Sequence, residues 1–419
     1  LAAQYGGGTF LLIYLILAVT FGFTLMIAEI SLGRKTGLSA IGAFRSLDKR
    51  FNFLGILAVI VPVIIFPYYS VIGGWVVKYF TVFVTGGVKA SAGDTYFTDF
   101  IGGTIEPIGW FFIFLAFTAI VVLCGVEKGI EKVSKIMMPI LVILTIIISV
   151  YGLTLKGSME GLIYYIKPHM ADVSVKTILA AMGQLFYSMS LAMGIMITYG
   201  SYMKKNDNLE SSVRQIELFD TGIAFLAGLM IIPAVFAFSG GDRSALNAGP
   251  GLMFMTLPKV FASMKFGGFI GTIFFMLVFF AALTSAISLM ETIVSVFMDK
   301  FGWKRRFTGI FVAVLALVMG IPSSLGFGPL GFISWNGMSI LDIMDFVSNS
   351  VLMPIVALFT CIFVGFIIKP KAVADEVKGS DGTFKAEGMF NIMIKWVAPL
   401  FLIIILISSV ASGLGLFKL

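Results

Sequence analysis

Residues 180–202 read AAMGQLFYSMSLAMGIMITYGSY, and the rest of the chain is organised around them. The stretch is apolar and long enough to cross a bilayer, which takes ~20 residues. Its middle is unlike an ordinary span. Ser188 and Ser190 sit between Gly183 and Gly194, and the aromatic pair Phe186–Tyr187 leads into them. Glycine weakens a helix interior, and serine can satisfy freed backbone groups. A helix broken at mid-membrane offers carbonyls to a cation and a half-helix N-terminus to a carboxylate. The same small residues also suit a continuous helix packed closely on its neighbours.

The surroundings are those of a polytopic membrane protein. The chain is 59% hydrophobic and 12% charged, with mean hydropathy +1.04, a composition in which most of the length must face lipid or other spans. Ten apolar runs have plausible ends, near 10–32, 53–85, 108–124, 134–155, 178–202, 216–238, 266–298, 308–321, 340–368 and 393–416. The segments between them alternate in basic content. Loops 33–51, 124–135, 203–215, 299–307 and 369–395 hold 20 Lys and Arg, whereas the other set holds 8. By the positive-inside rule the richer set is cytoplasmic. The net charge of +7 is therefore a topology signal, and no nucleic-acid role is assigned. This orientation puts residue 1 outside, on a chain that opens LAAQYGGGTF with no methionine and no signal peptide, so one further helix is expected ahead of it. Cys124 and Cys361 both lie in apolar runs and read as packed thiols rather than a disulfide framework. The one histidine, His169, sits in a polar loop, leaving little material for a histidine metal site or Ser–His catalysis; nothing looks like a nucleophile–base pair, and no enzyme activity is assigned.

Several residues carry chemistry. Ala281, Thr284, Ser285 and Ser288 recur at i, i+3, i+4 and i+7 and share one helix face. Their oxygens suit a hard cation, although a hydroxyl stripe also glues helices together. Asp220 is a carboxylate inside a span, a functional hypothesis by default, unless it sits near the cytoplasmic end and is partly solvated. Glu29 lies deep in the first visible span. Gly129 and Pro139 flank the inner end of another; proline frees the carbonyl of Lys135, so this end is expected to unwind and hydrate an ion site, though proline kinks in spans are common.

The ordered motifs YGGGTFLLIYLILAVTFGFTLMIAEISLGRKTG, FPYYSVIGGW, CGVEKGIEKVSKIMMP, GQLFYSMSLAMGIMITYGSY, GPGLMFMTLP, FFAALTSAISLMET and ILDIMDF resemble the neurotransmitter:sodium symporter family almost end to end. The eleven-helix bacterial branch fits best, with this chain beginning at the second helix. The resemblance implies an all-α polytopic membrane protein with an inverted five-plus-five helix repeat, the leucine-transporter-type fold, with ten spans visible. Residues 1–419 would form one transporter domain. The first repeat would occupy 1–155 (helices 2–5), the second 178–368 (helices 6–10), and the eleventh helix 393–416.

It also implies roles. Thr284, Ser285 and the Ala281 carbonyl match one sodium site, and Ser188 with Asp220 the other; the remaining ligands would come from the preceding helix. Many relatives carry Asn where Asp220 stands and recruit chloride, so chloride independence is expected, and proton antiport through Asp220 stays open. Ile65, Tyr69, Ile72, Tyr187, Ser190, Met193, Ser285 and Leu289 match substrate-pocket positions, Tyr69 meeting the substrate carboxylate and Tyr187 closing over it. None of them sets a carboxylate against a substrate side chain, so an apolar or aromatic amino acid is expected. Asp345 matches half of the outer gate, with Gln184 nearby, and Glu29 a carboxylate bracing the broken helix. Gly129 and Pro139 match an inner-gate device. The loop SGGDRSALNAGPGLMFMTLPKVF (239–261) resembles the extracellular cap.

The reading is a sodium-coupled symporter in a bacterial inner membrane. It uses sodium as coupling ion, no other cofactor, and membrane lipid and an amino acid as partners. Two alternatives stand beside it: an amino-acid-binding sensor on the same fold that does not transport, and a proton-coupled transporter with Asp220 as carrier. The Thr284–Ser285 pair favours sodium. Nothing sets an oligomeric state, and none is assigned.

Overall fold

The computed structural model describes residues 2–240, 249–379 and 382–413. Its main helices are α1 (Gly8–Thr36), α2 (Lys49–Val84), α3 (Ile105–Leu123), α4 (Val126–Leu153), α5 (Ser158–Ile166), α6 (Val175–Ser188), α7 (Ile195–Tyr202), α8 (Leu209–Ser239), α9 (Leu252–Ser263), α10 (Gly267–Phe301), α11 (Arg305–Leu325), α12 (Ile340–Ile367), α13 (Pro370–Lys378) and α14 (Glu387–Ala411). Among the described residues nine of these are long and apolar enough to cross a membrane. The tenth expected span, 178–202, is α6 and α7, two half-helices with a gap between them. Residues 414–416, the end of the last expected span, and 241–248, the middle of the expected cap loop, lie outside the described residues.

Local chemistry sets the ends. α1 stops at Gly37, whose φ of 66° is left-handed and whose N–H returns to the Gly33 carbonyl at 2.8 Å. α8 starts where the Asn208 side chain accepts from Ser211 N at 2.7 Å. Ser339 and Asp342 close a capping box at the start of α12.

Lipid tails give helices no hydrophobic reason to associate, so close backbone approach has to do it. A Cβ on Gly33 would overlap the Ile197 carbonyl, and one on Gly200 the Ile30 carbonyl, so α1 and α7 touch backbone to backbone. In α2, Gly73 and Gly74 make room for Phe114 and for the Phe111 backbone of α3. At the other extreme of size, buried Trp75 meets Phe97, Phe254 and Phe327 edge-on at 5.4, 5.9 and 5.5 Å. Each such pair is worth ~0.5–1.5 kcal/mol beyond its area.

The loops sort into two ends. At one end Thr9 Oγ1 donates to the His169 carbonyl at 2.8 Å and Lys259 pairs with Asp94 at 2.5 Å, joining the start of the chain to 155–177 and 85–109 to 239–267. At the other, Arg34 reaches Glu376 at 2.9 Å and the Asp207 carbonyl at 2.7 Å, Ser39 N donates to Asp299 at 2.8 Å, and Lys385 N donates to Glu210 at 2.8 Å. The second group joins the Lys/Arg-rich loops to one another, as the charge pattern requires. One expectation fails here. Cys361 is buried, but Cys124 is exposed, because it is the cap residue just past the end of α3.

Candidate ion and substrate site

The break between α6 and α7 is built by backbone conformation. Ser190, Ala192 and Gly194 have φ of 53°, 60° and 71°, so alternate residues are left-handed. For a non-glycine this costs ~1–2 kcal/mol. The surroundings offset it: Leu191 N donates to the Phe186 carbonyl at 3.0 Å and Ala192 N donates to Glu29 Oε1 at 2.8 Å. Glu29 is buried, and its second oxygen has no partner among the described residues. This carboxylate on α1 therefore pins the unwound segment.

Ser188, the last residue of α6, donates its hydroxyl to both oxygens of Asp220 on α8, at 3.0 and 2.9 Å. Tyr14 of α1 donates to Asp220 Oδ2 at 3.1 Å. Tyr14 is the residue sequence reading missed. Its only signal is a hydroxyl in the otherwise apolar run GTFLLIYLIL, which also reads as an ordinary aromatic packing residue.

A cavity of about 720 Å³ opens on this cluster. It brings together Ile65 and Tyr69 of α2, Tyr187, Ser188, Ser190 and Met193 of the broken segment, Asp220, and Ala281, Thr284, Ser285 and Leu289 of α10. Met138, Met189 and Met196, which lie in the quoted motifs but were not singled out as pocket residues, add sulfur to its walls. Along α10 the hydroxyl stripe divides. Ala281, Thr284 and Ser285 face the cavity, with Thr284 Oγ1 donating to the Ala281 carbonyl at 3.0 Å, whereas Ser288 shares a 2.7 Å hydrogen bond with Tyr199. The rings of Tyr69 and Tyr187 lie 6.5 Å apart on the cavity wall.

Other sequence-derived candidates lie elsewhere. Ile72, one turn beyond Tyr69, is not among the lining residues. Gln184 lines a separate cavity of about 320 Å³ with Tyr14 and Thr221. Asp345 accepts from Tyr68 at 2.9 Å and from Asn349. Gly129 lies in the wide π turn Val126–Glu131 that begins α4, and the helix runs on through Pro139, so this end is wound here. The cap segment α9 packs under Tyr79, whose hydroxyl donates to the Phe254 carbonyl at 2.8 Å.

A broken helix, a buried carboxylate beside it and a cavity edged with hydroxyls, all inside a ten-span bundle, are the parts of an ion-coupled secondary transporter. The chain belongs to the sodium:neurotransmitter symporter family, whose model matches residues 1–99 and 103–415. It is 34% identical to the uncharacterised sodium-dependent transporter YhdH of Bacillus subtilis, over 98% of this chain and 91% of that protein. It is 27% identical to the sodium- and chloride-dependent GABA transporter ine of Drosophila melanogaster, over 90% of this chain and 44% of the relative. Among solved structures it matches MhsT in complex with L-phenylalanine, with TM-score 0.87 and 36% identity over 97% of this chain and 92% of that one. The all-α, leucine-transporter-type fold expected from the motifs is thus the fold observed, and the protein is a multi-pass sodium-dependent transporter.

Proposed function

We propose that the protein imports an apolar or aromatic amino acid with sodium, by alternating access, across a bacterial inner membrane and without chloride. The observation that carries this is the Ser188–Asp220 pair at the helix break, opening on the cavity that Tyr69, Tyr187 and Met193 also line. Sodium takes oxygen ligands, as other hard cations do. Ser188 and Asp220 supply them on one side, and the Ala281 carbonyl, Thr284 and Ser285 on the other. Asp220 brings a fixed negative charge to balance the ion, which removes the need for a chloride. The segments 1–155 and 178–368 are read as the two inverted repeats, and rocking of one against the other exposes the site alternately.

Several features support the substrate class. The walls are aromatic, aliphatic and methionine-rich, and methionine adapts its shape and contacts rings well. Asp220, among the described residues the one acidic side chain lining the cavity, is taken by the sodium ion in this reading and so is not offered to a cationic side chain. The structural relative MhsT holds L-phenylalanine. The test is uptake by proteoliposomes of labelled phenylalanine, leucine and lysine in sodium or potassium, with chloride or gluconate. Sodium-dependent uptake of phenylalanine or leucine, unchanged in gluconate, is the expected result. Uptake in potassium that follows a proton gradient would replace sodium coupling with proton coupling through Asp220, and preference for lysine would overturn the substrate class.

A further inference from the structure

A second concavity, of about 620 Å³, lies at the end of the bundle opposite Arg34 and Glu376, away from the transport cavity. Its rim is the turn after α2, residues 86–90, and the turn before α10, residues 261–269. Two lysines, Lys89 and Lys265, line it, and among the described residues neither carries an ion pair. Nearby Lys259 differs: its hydrogen bond to Asp94 holds that carboxyl below the usual range, so its charge is already matched.

Below the lysines the surface is apolar and uncovered. Val84, Phe266 and Phe269 are 58%, 62% and 68% exposed, a cost in water that becomes a gain at a membrane interface. Further along, Phe80 of α2 stacks on Phe279 of α10 at 6.5 Å, and Phe279 meets half-exposed Phe117 of α3 at 5.8 Å. Ten residues and ~15 Å further in, on a face turned by about 80°, Phe279 is thus already packed among rings, so the uncovered apolar shelf ends near the mouth. Positive charge that is unmatched among the described residues, above an uncovered apolar shelf at the membrane interface, has one complementary occupant. We propose that this concavity between the end of α2 and the start of α10 binds an anionic phospholipid, its phosphate between Lys89 and Lys265 and the upper part of an acyl chain against Val84, Phe266 and Phe269.

The chemistry at the mouth is that of any phosphate monoester or diester, so the experiment separates lipid from soluble anion. The whole protein in non-ionic detergent is titrated with dioleoyl phosphatidylglycerol, dioleoyl phosphatidylcholine or glycerol 3-phosphate, and bound species are counted by native mass spectrometry. A lysine near an anionic lipid surface contributes about fivefold in affinity. Phosphatidylglycerol is therefore expected to bind at least tenfold more tightly than phosphatidylcholine, and K89A/K265A to weaken it by about thirtyfold. K156A/K167A, on another loop of the same end, is expected to leave it unchanged. K89Q/K265Q, read beside the thermal midpoint, repeats the measurement with the side-chain stems kept. Unchanged phosphatidylglycerol affinity in both double variants overturns the proposal. So does equal weakening in K156A/K167A, or displacement of the lipid by an equal concentration of glycerol 3-phosphate, which would make the site one for soluble anions.

Discussion

Asp220 accepts two hydroxyl protons, the Ser188 one shared between its two oxygens, yet a carboxylate in a span is retained only at considerable cost. A sodium ion beside it changes the balance: at an effective dielectric of about 20, unit charges 4 Å apart attract by ~4 kcal/mol. Ser188 alone cannot supply that. Asp220→Asn keeps the shape and removes the charge, so sodium-dependent uptake in gluconate is expected to fall at least tenfold, a change of ~1.4 kcal/mol or more. Restoring chloride should recover part of it, because an anion can enter where the charge was lost. A variant equally active in gluconate and chloride would show that Asp220 does not balance the ion. Asp220 and Glu29 were legible in the sequence because a carboxylate in an apolar run is conspicuous. Tyr14 was not, since a tyrosine there looks like any packed ring until the fold brings it 3.1 Å from a residue 206 positions away.

At the scale of the element, the broken helix divides its glycines by task. Gly194 adopts φ 71° and allows the break; Gly200 lies where α7 presses on the Ile30 carbonyl of α1; Gly183 in α6 has open space where a Cβ would stand. These environments give opposite signs for one substitution. Gly183→Ala gains helix propensity and is expected to stabilise by ~0.5–1 kcal/mol. Gly200→Ala must push two backbones apart and is expected to destabilise by more than ~2 kcal/mol. Thermal midpoints of the two variants in the same detergent decide it, and equal shifts would mean that the α1–α7 approach is not tight. The position of the break was readable from Gly183, Ser188, Ser190 and Gly194, but its backbone was not. Two of the three left-handed residues are Ser190 and Ala192, types that give no sign of positive φ, and the Glu29 contact that helps hold them is 163 residues away.

Across the whole molecule, alternating access needs an inner face that is held shut and then released, and the charged residues there form a clamp. Arg34 at the end of α1 is 1% exposed; it donates to the Glu376 carboxylate and carbonyl on α13 and to the Asp207 carbonyl between α7 and α8. Lys205, 63% exposed, adds a bond to the same carboxylate at 2.9 Å. Counting lysines and arginines placed these loops on one side, but could not pair residues 342 positions apart. Burial ranks the two contributions. Removing Arg34 leaves Glu376 with 11% exposure and one solvated partner, a situation that costs ~3–5 kcal/mol. Removing Lys205 takes away the solvated partner of that carboxylate and a hydrogen bond to the Arg34 carbonyl at 2.8 Å, while the buried Arg34 pairing stays, a smaller loss of ~1 kcal/mol. Arg34→Ala is therefore expected to lower the thermal midpoint several times more than Lys205→Ala, and, in a Cys124→Ser background, to raise the labelling rate by a cytoplasmic-side reagent of a cysteine placed at buried Ile65 on the cavity wall. Arg34→Lys restores charge without the fork that spans the Glu376 carboxylate and two carbonyls, so it should recover only part of both. Equal losses in Arg34→Ala and Lys205→Ala would mean that solvent already shares the clamp and that the inner face is tied by packing instead.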